Sequence, residues 1–145
     1  MNVKARIANL DGNDIQMASS SGNSAILKTS TGELTLHFVD VKRKITLDIA
    51  AAPITATGTV SLNGLSENAA HIVIGSNPSG QQQFCTCTDL TGDSTVEGSG
   101  TLVITVLTSD HIKGTMDNVD FISTDLLLPA VSLYDGSFDM KLERQ

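Results

Sequence analysis

Two-residue alternation of apolar and polar side chains runs through most of this chain, and it restricts the possible folds more than any other feature. Successive side chains of an extended strand point to opposite faces, so the pattern gives each strand one face for a core and one for water. Val3, Ala5 and Ile7 alternate with Lys4 and Arg6, and Leu34, Leu36 and Phe38 with Glu33, Thr35 and His37. Ile45, Leu47 and Ile49 follow the same rule, as do Leu102, Ile104 and Val106, and Phe138, Met140 and Leu142. Helical periodicity is nearly absent.

Gly, Asn, Asp and Ser interrupt the alternation every 8 to 12 residues or so, the rhythm of a sandwich or barrel. Strands are expected at 3–7, 15–18, 25–30, 33–39, 45–49, 55–62, 70–74, 81–88, 101–107, 111–121 and 137–142. The turns between them are expected at Asp11-Gly12-Asn13, Thr31-Gly32, Asn63-Gly64 and Ser76–Gly80. Asp89–Gly100 reads as a polar loop, and Leu126-Leu127-Leu128-Pro129 as an apolar loop or single helical turn covering an open barrel end or sheet edge. The expected fold is all-β: an antiparallel β-sandwich or barrel of about ten short strands with meander-type connections. Its interior should gather Leu102, Ile104, Val106, Phe138, Met140 and Leu142 into one core patch.

With 145 residues, 40% of them hydrophobic, residues 1–145 suit a single self-folding domain. Nine basic against sixteen acidic residues give a net charge of 9 − 16 = −7. Nucleic acid is therefore a poor partner, since phosphate binding needs a clustered positive surface. The one basic cluster, Lys42-Arg43-Lys44, reads as a turn or edge strand whose lysines discourage edge pairing. Apolar runs such as Ile49–Pro53 are far shorter than a membrane-spanning helix requires. Met1-Asn2-Val3-Lys4 lacks the apolar core of a signal peptide, which leaves a cytosolic chain or a mature fragment as the expectation.

Candidate chemistry is sparse. Cys85-Thr86-Cys87 on an unbroken strand would hold its thiols roughly 7 Å apart along it, so the expectation is two free, half-buried cysteines rather than a local disulfide or a soft-metal site. His37, His71 and His111 fall on different strands with no metal-ligand spacing, and a shared site is not expected. Ser109-Asp110-His111 holds the residue types of a hydrolytic triad, but consecutive residues cannot form the nucleophile–base–orienter chain, and it reads as a hairpin turn. Asp89, Asp93 and Glu97 could converge on calcium, yet their spacing departs from a calcium loop and a solvated loop is expected. With 3% aromatics and no Trp, sugar stacking is disfavoured. Gly98-Ser99-Gly100 leads into a strand, not into the helix N-terminus that phosphate binding would use.

Gly98-Ser99-Gly100-Thr101-Leu102-Val103-Ile104-Thr105, then His111–Met116, then Tyr134-Asp135-Gly136-Ser137-Phe138 resemble a strand pattern of Bacteroidetes-type secreted lipoprotein domains of unknown function, with Met116 where those domains carry Phe. The resemblance covers Gly98 to Leu142. It implies an extracytoplasmic, lipid-tethered β-domain whose signal peptide and anchoring cysteine precede Met1, and it brings no catalytic residues. Gly114 and Gly136 would then mark strand bends or close backbone approach.

The expectation is a non-enzymatic binding or structural module of the bacterial cell envelope, in the periplasm or at the cell surface. No catalytic, cofactor-binding or metal residues are nominated, no cofactor is expected, and the partner would be an unidentified protein or small molecule. The alternatives are a small barrel carrying an apolar ligand in its interior, or a phage or secretion-apparatus structural protein.

Overall fold

The computed structural model describes residues 2–10, 13–63, 68–75, 82–86, 88–91, 94–123 and 131–145. Every regular element among them is a strand: β1 (Asn2–Leu10), β2 (Asn13–Ser19), β3 (Ser24–Lys28), β4 (Glu33–Asp40), β5 (Ile45–Ala51), β6 (Gly58–Leu62), β7 (Ala69–Ile74), β8 (Gln82–Cys85), β9 (Thr88–Thr91), β10 (Ser94–Glu97), β11 (Ser99–Leu107), β12 (His111–Ser123), β13 (Val131–Lys141) and β14 (Glu143–Arg144). Twelve of them form one curled, mixed sheet, a half-barrel, in the order β14-β3-β4-β5-β7-β8-β12-β13-β1-β2, with β11 on β12 and β6 on β11. Strands β9 and β10 make a separate hairpin. All pairings are antiparallel except that of β14, which runs parallel to β3.

The sheet has two walls. In the first, β3, β4, β5, β7 and β8 pair without a register shift, and burial follows the sequence alternation residue by residue: β4 and β5 bury every second side chain. The second wall, β11-β12-β13-β1-β2, is kinked. Asn118 (φ 52°) and Asp135 (φ 54°) adopt left-handed backbone on neighbouring strands, between the aligned pairs Met116↔Gly136 and Val119↔Leu133. The register shifts between Lys4 and Arg6 on β1 and between Ser99 and Thr101 on β11 at the same level. Such bulges bend a sheet and increase its twist, and a line of them across four strands curls this wall toward the other.

Between the walls lies a filled core. Leu34, Leu36, Phe38, Leu47 and Ile72 meet Leu102, Ile112, Leu133, Phe138 and Met140, all almost without solvent contact. The rings of Phe38 and Phe138 pack across the interior with centroids 5.8 Å apart at 41°. Gly114 allows this packing, because a Cβ there would collide with the Val103 carbonyl and lie 2.6 Å from the Phe138 ring. At Gly136 the Met116 carbonyl oxygen would be 2.8 Å from a Cβ, so both glycines mark close backbone approach as expected.

Several expectations need correction. Val106 is outside the core patch: a bulge between Ile104 and Val106 reverses the alternation, so Val106 is only half-buried and Leu107 packs against the core. The meander breaks after β5, where Pro53 cannot extend the ladder; β6 starts at Gly58, crosses to β11, and leaves β5 to pair with β7. The expected strand 81–88 ends at Cys85, because Thr86 turns inward, is fully buried, and bonds with both backbone groups of Ala70. The expected loop 89–100 holds β9, β10 and the start of β11. Leu126–Pro129 and most of the expected turn residues at 11–12, 64 and 76–80 lie outside the described residues.

Candidate functional site on the outward face of the first wall

The first wall turns a second face to solvent. The turn Val41–Lys44 closes β4 on β5 with Asp40 opposite Ile45, which places His37 opposite Asp48. Strand β7 continues the row with His71 opposite Asp48, and β8 with Cys85 opposite His71. On the other side Ser24 of β3 lies opposite His37. Ser24, His37, Asp48, His71 and Cys85 therefore form one cross-strand row, within which directly opposed side chains are near neighbours.

His37 donates from Nδ1 to Asp48 Oδ1 at 2.5 Å, a charge-assisted bond when the ring is protonated. That leaves Nε2 for another partner. Among the described residues no hydrogen bond links Ser24 to the His37 ring, so the residue types of a triad stand in line without the nucleophile–base contact. The next row, Thr35, Ala50 and Ala69, has small side chains. The step between rows makes a shallow concavity of about 230 Å³, bordered by Thr35, Asp48, Ala50, Ala69, His71 and Cys85. Its floor is alanine and its rim holds a carboxylate and an imidazole.

The three histidines fall on different strands: His37 and His71 take register positions on either side of Asp48, while His111 lies on the second wall with Nε2 2.9 Å from Asp139 Oδ1. Part of this row was legible. A four-residue turn at Val41–Lys44 pairs residues whose numbers sum to 85, which matches His37 with Asp48. The His71 position was not, because it depends on the detour of β6. Among the described residues no three His, Cys, Asp or Glu side chains form a group that could hold a metal ion. Asp89 and Glu97 take adjacent register positions, opposite Val96 and Thr88, and Asp93 lies outside the described residues.

The cysteine expectation is corrected as well. Cys85 is disulfide-bonded, and the sequence holds one other cysteine, Cys87, which lies outside the described residues. The spacing that kept the thiols apart presupposed a strand running on past Cys85, and β8 ends there. Ser109-Asp110-His111 is a turn entering β12, as expected, with Thr108 N–H donating to the His111 carbonyl.

A second polar arrangement was missed. Asp40, at the end of β4, is 3% exposed and its carboxylate accepts from Ala18 N–H (3.1 Å), Arg43 N–H (3.1 Å) and Arg43 Nη1 (2.9 Å). Burial alone would raise its pKa, but these hydrogen bonds and the guanidinium charge outweigh burial and hold it below the ordinary value. The bond to Ala18 ties β2 to the first wall, so Asp40 is a clasp. A larger concavity of about 410 Å³ lies at the opposite end, between Leu27, Thr31, Pro53, Ile54, Leu107 and Arg144. There the Arg144 guanidinium is engaged by the carbonyls of Ser109 and Thr108.

No family model matches the chain, and no curated protein or solved structure matches it.

Proposed function

We propose that this chain is a non-enzymatic binding module of the bacterial cell envelope and that the outward face of the first wall is its binding face. The carrying observation is the character of that face: half-exposed throughout β4, β5 and β7, with Val39, Thr35, Thr46, Ala50, Ala69 and Val73 around the Asp48 carboxylate, while Glu33 at the far end of β4 is paired with Lys28. Outward sheet faces of monomers usually carry more charge, and a low-charge patch with a few convergent polar groups is the form of a recognition surface. The filled interior favours a surface ligand over one carried inside. An extracytoplasmic address is supported by the disulfide at Cys85, since such bonds persist in oxidising compartments, and by the lipoprotein-like strand pattern of Gly98–Leu142.

Sedimentation of the full chain with cell-envelope vesicles from a Bacteroidetes species tests the reading. The wild type is expected to co-sediment, and the double variant Ala50→Gln with Ala69→Gln, which fills the concavity from outside the core, is expected to lose at least about tenfold in affinity. Equal binding by the two proteins, or none by the wild type, would overturn it.

A further inference from the structure

The turn joining β4 to β5 has a different chemistry from the rest of the surface. Residues 41–44 are all exposed, and Val41, at 77%, is the exposed large hydrophobic among the described residues. Lys42, Arg43 and Lys44 follow it, three of the nine basic residues in a chain with sixteen acidic ones. The neighbouring acid does not oppose them outward, because the Asp40 carboxylate is buried and committed to Ala18 and Arg43. Among the described residues neither the Lys42 nor the Lys44 ammonium has a partner.

The turn is also held in place. Lys44 carbonyl accepts from Gly75 N–H at 2.9 Å, and Arg43 is bonded through both its backbone and its side chain. Lys44 adopts φ 57°, a left-handed conformation that glycine or asparagine would take at lower cost. Strain kept at an exposed position where a relaxed residue would serve is a reason to look for a function of the side chain.

From these features we infer that Val41–Lys44 is a membrane-surface contact, in which Val41 enters the headgroup–acyl boundary and Lys42 and Lys44 meet anionic lipid headgroups, with Arg43 holding the turn on Asp40. The inference deepens the envelope reading and rests on it only for the presence of a lipid surface. An apical apolar side chain gains nothing from a phosphate backbone in water, whereas cations around an apolar wedge match both layers of a lipid interface. Near an anionic surface each cation raises partitioning about fivefold. Two such contacts beside an apolar wedge give a protein carrying −7 overall a weak association, read at excess lipid.

The test uses the full chain and vesicles of phosphatidylcholine, with and without phosphatidylglycerol. Co-sedimentation is expected only with phosphatidylglycerol, falling as salt rises, and at least about tenfold weaker for Lys42→Glu with Lys44→Glu. The sequence contains no Trp, so Val41→Trp supplies a single reporter whose emission should shift to the blue on these vesicles. Thermal melts of the variants, all at exposed positions, check folding. Equal binding to both vesicle types, binding that survives the charge reversal, or binding without a blue shift would overturn the inference. So would preference for a soluble acidic peptide over the vesicles. None of these outcomes bears on the binding face, whose variants lie on the outward face of β5 and β7.

Discussion

The two walls of the half-barrel solve one problem in opposite ways. The first keeps a constant register from β3 to β8 and buries alternate residues without exception along β4 and β5. The second interrupts its alternation at Asn118, Asp135 and the slips on β1 and β11. A flat ladder presents straight rows of side chains, which is what lines up His37, Asp48 and His71; a kinked ladder gives up such rows and curves around a core. Recognition surface and curvature are divided between the walls.

The sharpest way to probe that division is to cut the contact they share. Phe38→Ala and Phe138→Ala should each cost about 3–5 kcal/mol in urea unfolding, with a coupling of about 0.5–1.5 kcal/mol between them. Additive effects would mean that the walls do not depend on each other through these rings. A smaller effect should separate the walls. Gly114→Ala forces a Cβ into the Val103 carbonyl and the Phe138 ring and should cost about 1–3 kcal/mol, whereas Ala69→Val on the outward face of the first wall should stay within about 0.5 kcal/mol. Comparable costs in chemical denaturation would erase the distinction.

The smallest effect lies where β2 of the second wall is tied to the first. Asp40→Asn should cost about 1 kcal/mol at neutral pH. The folded pKa of Asp40 is lowered, so its contribution is fully present above the ordinary value of 3.8 and is lost as pH falls through the folded value. Melting temperatures measured from neutral pH downward should therefore differ between wild type and variant above about pH 4 and converge below it. A constant gap down to strongly acidic pH would show that the carboxylate charge does not hold the walls together.

Sequence alone served the two walls unequally, for the same physical reason. Period-two patterning reports which face of a strand is buried only while the strand stays regular, so Leu34–Phe38 and Ile45–Ile49 were placed correctly and Val106 was not. Asn118 and Asp135 leave a faint local mark, since Asn and Asp merely tolerate left-handed backbone. The clasp at Asp40 was invisible because its partner Ala18 is 22 positions away and contributes only a backbone N–H. The disulfide at Cys85 was misjudged through a strand end that Thr86 sets by bonding sideways to Ala70.

The place of β1 in the second wall bears on how the chain reaches this fold. Val3 pairs with Phe138, 138 − 3 = 135 positions later, while β3, β4 and β5 are joined by short turns. Contacts of such high sequence separation must meet their loop-closure entropy before they return any energy, so a topology of this contact order folds in milliseconds to seconds. During synthesis the β3–β5 meander can form early, but β1 and the edge of β12 wait for β13 to leave the ribosome. Unpaired strand edges invite intermolecular pairing in that interval.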